Sequence, residues 1–334
     1  MSTSAIAVAL LPVLAFLAAL VYFDSFKLLS PRAVLVPMAI GAAAVALSYF
    51  LNGFLLGRLP IDFVTYSRYV SPWIEESLKA IALVYLILTR RIAMLVDAAI
   101  YGFAIGSGFA LVENLYYLAS RDDTQLMVEV IRGFGTAIMH GGATAIFAVV
   151  SVAIAERRLD ALPVVFLPGL LAAATVHSAF NHLLAKPVLA TLGILIALPP
   201  LMYFVFERSE RSLRDWLDAD LDSDLELLRL LDSDNFSASH VGTYLHSLRQ
   251  KFRGEVVADM LCYMRLHTEL ALRAKGVLLM RESGLEASLD DDTRAKLAEL
   301  QYLERSIGRT GQLAMRPVLQ MTGKDLWQIY MLGR

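Results

Sequence analysis

The 334-residue sequence contains a single cysteine, Cys262, and little charge for its length. One cysteine cannot close an internal disulfide or build a cysteine-based metal cluster, which excludes a disulfide-stapled secreted fold. The formal net charge of -2 provides no basic excess, so nucleic acid is not an expected partner. Charged residues make up 19% of the chain and hydrophobic residues 57%, a balance that is typical of membrane proteins.

The apolar residues are concentrated in the first two thirds of the chain. A bilayer core of about 30 Å is crossed by a helix of about 20 apolar residues, whose backbone groups are satisfied within the helix. Seven segments are long enough, at residues 5–23, 33–56, 70–89, 92–120, 126–155, 162–184 and 187–206. The sequence therefore predicts an all-α fold, with a polytopic transmembrane helix bundle of about seven spans in residues 1–206 and a helical domain in residues 207–334.

Positively charged residues distinguish the two sets of loops between these segments. One set holds Lys27, Arg32, Arg90, Arg91, Arg157, Arg158, Arg208, Arg211 and Arg214, and the other holds Arg58, Arg68, Arg121 and Lys186. The richer set belongs on the cytoplasmic side. We therefore expect a multi-pass protein of the cell membrane with its N-terminus outside and its C-terminal domain in the cytoplasm.

The C-terminal domain, residues 207–334, has the pattern of amphipathic helices. An apolar stripe at helical spacing runs from Val241 to Met260 and predicts one long helix. The sequence from Asp290 to Thr293 predicts a loop and a helix cap, and residues 322–324 precede a last short helix. This part of the sequence has no phosphate-binding loop and no metal motif. We expect a regulatory or docking domain with an unidentified cytoplasmic partner.

Ionisable residues lie inside the predicted spans, where they are costly and commonly functional. Counting about 1.5 Å per helical residue places Glu75 and Glu76 about one turn below the outer surface. The same count places Glu113, His140 and His177 about two turns below it, each in a different span. Four helices therefore bring polar groups to one level in the outer half of the bilayer.

Four more polar residues accompany this set, namely Lys79, Asn114, Arg132 and Asn181. Lys79 follows Glu75 by one turn, in the order that favours an ion pair, and would lower the pKa of the glutamates. Arg132 would anchor a helix end or pair with a site carboxylate, and either asparagine could donate a hydrogen bond to an oxyanion. The alternative is a structural role for all of these residues, as helix-end charges or as polar contacts between helices.

Carboxylates and histidines at one depth suit the hydrolysis of an amide. Glu75 or Glu76 would act as a general base on water, with Glu113, His140 and His177 as acid and base partners. Alternatively, Glu113, His140 and His177 would hold one Zn²⁺ with an open position for water. The sequence leaves zinc-dependent and metal-free catalysis equally open.

The motifs resemble those of the PrsW intramembrane proteases, relatives of the CAAX prenyl endopeptidases among glutamate-dependent membrane proteases. Four motifs carry the resemblance: Glu75-Glu76-x-x-Lys79, Phe109-x-x-x-Glu113-Asn114, Arg132 followed by His140, and His177-x-x-x-Asn181. They occur in this order, one in each successive span between residues 70 and 184. The resemblance implies cleavage of a single-pass membrane protein near its extracytoplasmic face, an anti-sigma factor being the best-known substrate.

Two other classes of function use the same residues. A transporter would relay protons or bind cations through them, and it predicts ion-dependent flux without cleavage. A non-catalytic scaffold would signal through the C-terminal domain, and its function would survive Glu75→Gln and His177→Ala. Polar groups that cluster at one depth, rather than crossing the whole bilayer, favour the protease.

Overall fold

A computed structural model describes residues 3–29, 31–120, 125–156, 162–183, 186–285, 290–319 and 323–332. These residues form helices and the turns between them, with no strand in the described ranges. The predicted all-α fold is therefore confirmed. Contacts divide the chain into two compact units, Met1–Glu210 and Arg211–Arg334, and each is described separately below.

The helices of the first unit are α1 (Thr3–Phe23), α2 (Leu35–Leu56), α3 (Phe63–Tyr69), α4 (Ser71–Leu88), α5 (Leu95–Ala119), α6 (Leu126–Ile131), α7 (Ala137–Ala155), α8 (Leu162–Leu183) and the first part of α9 (Pro187–Leu231). A π-helical turn, Arg132–Thr136, joins α6 to α7 without a break. The short helix α3 is not predicted by hydropathy. It begins where the Asp62 side chain accepts hydrogen bonds from the amides of Val64 and Thr65, an N-cap that stabilises a helix start.

Six helical segments of the described chain are long and apolar enough to cross a membrane: α1, α2, α5, the continuous α6–α7 segment, α8 and α9. The remaining predicted span is α4, which forms an 18-residue helix but carries Glu75, Glu76 and Lys79. Its charged face turns inward, since Glu76 and Lys79 are both buried. Six apolar helices and one charged helix therefore take the place of the seven predicted apolar spans.

Helix α5 is the central element of the first unit. Every residue from Leu95 to Ala110 is buried, and the helix packs against α1, α2 and α7. A Cβ atom on Gly106 would lie 2.3 Å from the carbonyl oxygen of His140, and one on Gly102 would lie 2.7 Å from the Cα of Ala145. Small residues permit this close approach of helices. The contact between α5 and α7 thus sets the position of His140.

The second unit contains the remainder of α9, followed by α10 (His240–Leu248), α11 (Gly254–Glu282), α12 (Asp291–Met315) and α13 (Gly323–Leu332). The single helix predicted from Val241 to Met260 is wrong, because the chain leaves α10 after Leu248 and α11 starts after the extended residue Arg253. The predicted cap is confirmed, since the Asp290 side chain accepts a hydrogen bond from the Thr293 amide at 2.9 Å. Thr322, the first of residues 322–324, lies outside the described residues.

Helix α11 forms the core of the second unit and packs against α10, α12 and α13. Its Lys275 is fully buried, with Nζ 2.9 Å from Asp220 and 2.6 Å from Asp224. The same ammonium lies 5.1 Å from the ring centre of Trp216, a cation–π distance. A buried charge is tolerated only when it is paired, so these contacts tie α11 to α9.

Candidate active site

Four helices of the first unit contribute to one polar cluster. Its members are Glu75, Glu76 and Lys79 from α4, Glu113 from α5, His140 from α7 and His177 from α8. The rings of His140 and His177 lie 4.8 Å apart at a near-perpendicular angle. The structure therefore brings together the carboxylates and histidines whose convergence the depth count predicts.

Glu76 is the most completely bonded carboxylate of the cluster. Lys79 lies 2.5 Å from its Oε1, and His177 Nδ1 lies 2.9 Å from the same oxygen. Its Oε2 accepts a hydrogen bond from the Thr144 hydroxyl at 3.2 Å. The predicted ion pair between Glu75 and Lys79 is therefore wrong. Lys79 pairs with Glu76, one residue nearer in the helix, because that carboxylate faces the interior with it.

Glu75 is held differently, through one of its two oxygens. Its Oε1 accepts hydrogen bonds from the Ser71 hydroxyl at 2.6 Å and from the Asn52 amide at 3.2 Å. The Tyr66 hydroxyl in turn donates to Asn52 Oδ1 at 2.9 Å, which fixes the asparagine. Glu75 Oε2 lies 3.9 Å from His177 Nε2, beyond direct hydrogen-bond distance. Glu75 thus presents one oriented oxygen towards the two histidines.

The hydrogen bond to Glu76 determines which nitrogen of His177 carries a proton. A carboxylate only accepts, so His177 Nδ1 must donate to it. In the neutral ring Nε2 then carries the lone pair and faces Glu75 Oε2. Carboxylates orient histidines in this way in both metal and hydrolytic sites.

His140 lies between Lys79 and Glu113. Its Nδ1 is 3.1 Å from Lys79 Nζ, which can only donate, so the proton of the neutral ring is on Nε2. Nε2 is 3.2 Å from Glu113 Oε2, and Arg132 is 3.4 Å from the same oxygen. The ring of Phe109 lies 5.1 Å from that of His140 and forms an apolar wall.

The π-helical turn explains how Arg132 and His140 reach the same carboxylate oxygen. In a regular helix an eight-residue step rotates by two turns and about 80° more, which would put the two residues on different faces. A π-turn absorbs one extra residue, so the step comes close to two full turns. The turn at Arg132–Thr136 therefore directs both side chains towards Glu113.

The two predicted asparagines make their hydrogen bonds at the edges of the cluster. The Asn114 amide donates to the carbonyl of Ala9 at 2.8 Å and ties α5 to α1. The Asn181 amide donates to the carbonyl of Ser67 at 2.8 Å and ties α8 to α3. Each contact joins two helices, and the oxyanion role of these residues stays a prediction.

Sequence reasoning missed Asn52, Tyr66 and Thr144 as members of the site. Thr144 follows His140 by one helical turn, a spacing that places the two on one face. Asn52 is a polar residue near the C-terminal end of the apolar helix α2. Tyr66 belongs to α3, which hydropathy does not detect.

One group of side chains in the described structure has the composition of a metal site. Ligand atoms of Glu75, His140 and His177 all lie within 4.8 Å of one another. Two histidines and one carboxylate form one of the known protein ligand sets of a catalytic zinc. Tetrahedral bonds of about 2.0–2.2 Å would bring these atoms to within about 3.6 Å, a modest contraction.

The donor types therefore fit a zinc ion, with Glu75 in the place that the sequence gives to Glu113. His140 has both ring nitrogens within hydrogen-bond distance of other groups, Lys79 and Glu113. Binding a metal through His140 would require it to release one of these contacts.

The fold and the cluster define a multi-pass membrane protein with an internal centre of carboxylates and histidines. The family model described as PrsW family intramembrane metalloprotease matches residues 30–206, more than half of the chain. The chain belongs to this family, and it is therefore a membrane protease. No curated protein and no solved structure matches it.

Proposed function

We propose that this membrane protease is an endopeptidase in which Glu75 is the general base that activates water. The observation that supports the proposal is the group of Glu75, His140 and His177, whose ligand atoms lie within 4.8 Å of one another on three helices. A water molecule in such a gap lies within hydrogen-bond reach, about 2.6–3.2 Å, of both a carboxylate and an imidazole.

The bonding of the two glutamates favours Glu75 over Glu76 as the base. Glu76 is bonded to Lys79, His177 and Thr144 and has little remaining capacity to take a proton. Glu75 keeps Oε2 oriented towards the histidines, while Ser71 and Asn52 hold Oε1. Glu76 is then a positioning residue, which holds His177 in the tautomer that faces Glu75.

Protonation of the leaving amine needs a second group. The proton that Glu75 takes from water would pass to His177 Nε2, which faces Glu75 Oε2, and the imidazolium so formed would donate it to the leaving amine. Glu113 and Arg132, which lies 3.4 Å from the Glu113 carboxylate, fix the orientation of the neutral His140 ring. Lys79 pairs with Glu76 and donates to Nδ1 of His140.

A zinc ion is compatible with the same centre. Glu75, His140 and His177 would hold it, and it would supply Lewis-acid polarisation of the peptide carbonyl and acidify a bound water. In that case Glu76 acts through His177, as a carboxylate that orients a metal ligand.

The proposed substrate is a single-pass membrane protein, similar to an anti-sigma factor, cleaved near its extracytoplasmic face. The depth count puts the cluster in the outer half of the bilayer, and loop charges favour an external N-terminus with residues 207–334 in the cytoplasm. The motif resemblance supports the same class of substrate.

The proposal is tested by cleavage of a panel of single-pass membrane proteins in lipid nanodiscs. Wild type is compared with Glu75→Gln and with the matched control Glu129→Gln. Glu129 is also a buried glutamate of a spanning segment, and neither of its oxygens has a hydrogen-bond partner within the described structure. We expect cleavage by wild type and by the control, and none by Glu75→Gln.

Each protein is also assayed after treatment with a zinc chelator, and again after zinc has been added back. Loss and recovery of cleavage would assign the metal-dependent form of the mechanism, whereas full activity with the chelator would assign the glutamate-only form. Equal cleavage by wild type and Glu75→Gln would contradict the assigned base. Absence of cleavage across the whole panel, with ion flux through the wild-type protein, would contradict the protease.

A further inference from the structure

The second unit contains a cavity that the proteolytic chemistry does not use. Its volume is ≈ 330 Å³, which lies within the range of small-molecule sites in proteins. Side chains of α9, α10, α11 and α13 line it together with the turn at residues 317–319. All of these residues belong to the same compact unit, so the cavity is a feature of that unit alone.

Two buried polar atoms on the wall of this cavity have no hydrogen bond in the described structure. They are Nε2 of His267 and Oε1 of Gln328, and their residues are only 4% and 1% exposed. Nearly all buried polar atoms in folded proteins are bonded, because leaving one unbonded costs about 1–3 kcal/mol. An amide oxygen such as Gln328 Oε1 requires a donor.

The charge of the cavity wall selects the sign of a ligand. Four carboxylates line it, from Asp220, Asp224, Glu226 and Asp325, and no lysine or arginine is among the described lining residues. Lys275 lies behind the wall and pairs with both Asp220 and Asp224, so its single positive charge offsets one of the four negative charges. The cavity therefore carries a net negative charge and favours a cation.

His267 does not oppose a cation. Burial, followed in size by repulsion from Lys275, lowers the pKa of His267 to about 4, so its ring is neutral at physiological pH. A neutral imidazole can accept a hydrogen bond at Nε2.

The spacing and the remaining walls argue for an organic cation rather than a metal ion. A metal ion needs three or more ligand atoms close together. Among the described residues, Glu75, His140 and His177 meet this condition, with ligand atoms within 4.8 Å of one another, whereas the carboxylates of this cavity do not. The lining also contains Ser223, His240, Tyr244 and Ala271, and its apolar part includes Leu227, Leu230, Val241, Pro317 and Val318. Acceptors separated by apolar surface suit ammonium groups that are separated by methylene chains.

We propose that this cavity is a binding site for a free alkylamine dication or polyamine. Its ammonium N–H groups would donate to Gln328 Oε1, to His267 Nε2 and to carboxylate oxygens of the wall, while its methylene segments pack on the apolar wall. The site is independent of the proteolytic chemistry and gives the second unit a small-molecule ligand.

The test is calorimetric titration of the full-length protein with spermidine in phosphatidylcholine nanodiscs, with empty nanodiscs as the blank. Tetramethylammonium, which has charge but no N–H donor, is the comparison probe. We expect saturable binding of spermidine and none of tetramethylammonium at the same concentrations.

Variants separate a specific site from general attraction. Gln328→Leu removes the unbonded oxygen at nearly constant volume and should weaken spermidine binding about tenfold or more. Glu226→Gln removes an exposed charge of the wall and should weaken it about threefold. Asp222→Asn, also exposed on α9 but outside the lining, should leave it unchanged.

No saturable spermidine binding would overturn the proposal. Equal weakening by Glu226→Gln and Asp222→Asn, or equal binding of tetramethylammonium, would also overturn it, because either result indicates attraction by net charge alone. Because Glu226 is exposed, its substitution keeps the test valid even if Gln328→Leu perturbs folding.

Discussion

The two units of the protein each contain a fully buried lysine, and the two lysines have different surroundings. Lys79 pairs with a single carboxylate, Glu76, and also contacts His140. Lys275 pairs with two carboxylates, Asp220 and Asp224, and lies over Trp216. The first pair is part of a network of titratable groups, whereas the second joins two helices. The comparison indicates that the role of a buried lysine depends on the other contacts of its carboxylate partners. Where the carboxylate also contacts titratable groups the pair can influence catalysis, and where it does not the pair stabilises the fold.

The largest expected effect concerns the carboxylate beside the first pair. Glu75→Gln keeps the shape and the Oε1 contacts but removes the base, so kcat should fall by about 10³-fold, within the range of general-base catalysis. Substrate affinity and the unfolding temperature should remain close to those of wild type. The measurement is steady-state cleavage of a defined substrate in nanodiscs, with Glu129→Gln as the control. A fall in kcat of less than tenfold would contradict the assignment of Glu75, rather than Glu76, as the general base.

The pH dependence of the second unit provides a second comparison, because titration of its buried His267 should change stability and not proteolysis. The pKa of buried His267 is about 4, below the ordinary value of 6.5. The unfolded state therefore binds more protons between these values, so stability is complete above about pH 6.5 and is lost as the pH falls towards 4. The loss attributable to His267 is about 3 kcal/mol.

Hydrogen exchange of α11 in the full-length protein, between pH 7 and pH 4, measures this loss. His267→Phe should abolish the corresponding part of the pH dependence, and the difference from wild type isolates the histidine from the nearby aspartates. The same pH dependence in both proteins would contradict the assignment to His267.

Removal of the second lysine should affect stability more than chemistry. Lys275→Met leaves Asp220 and Asp224 unpaired, and because these side chains are 23% and 21% exposed the expected loss is about 2–3 kcal/mol. Faster hydrogen exchange in α11 measures it. Lys296→Met, which removes a more exposed lysine of the same unit, is the control and should cost less than about 1 kcal/mol.

The smallest expected effect concerns the support of Glu75. Asn52→Leu removes the amide that holds Oε1, and kcat should fall about tenfold with little change in KM. Tyr66→Phe removes only the hydroxyl that fixes Asn52 and should cost about threefold. In this arrangement Asn52 contacts Glu75 directly and Tyr66 acts only through Asn52. A larger loss of kcat in Tyr66→Phe than in Asn52→Leu would contradict it.

The sequence predicts the helical fold and the convergence of the polar residues well, because both depend on regular helix geometry. Hydropathy gives span positions, and the rise per residue places Glu75, Glu113, His140 and His177 at one depth. The choice of Glu76 over Glu75 as the partner of Lys79 could not be predicted. Both spacings are compatible with an ion pair in a helix, and the packing of α7 and α8 decides between them.

Two other features depend on information that periodicity does not contain. The π-helical turn at Arg132–Thr136 inserts one residue into an otherwise regular pattern, and Gly133 and Gly135 within it give no unique signal. The break between α10 and α11 interrupts an apolar stripe that continues in register on both sides. In each case tertiary packing overrides a local pattern that fits a longer regular helix.

The most direct test of the comparison is to measure cleavage and hydrogen exchange on the same two full-length variants, Lys79→Met and Lys275→Met. The account predicts that Lys79→Met lowers cleavage at least a hundredfold while α11 exchanges as in wild type. It predicts that Lys275→Met speeds exchange in α11 while cleavage stays within threefold of wild type. Unchanged cleavage in Lys79→Met, or lost cleavage in Lys275→Met with normal exchange, would contradict it.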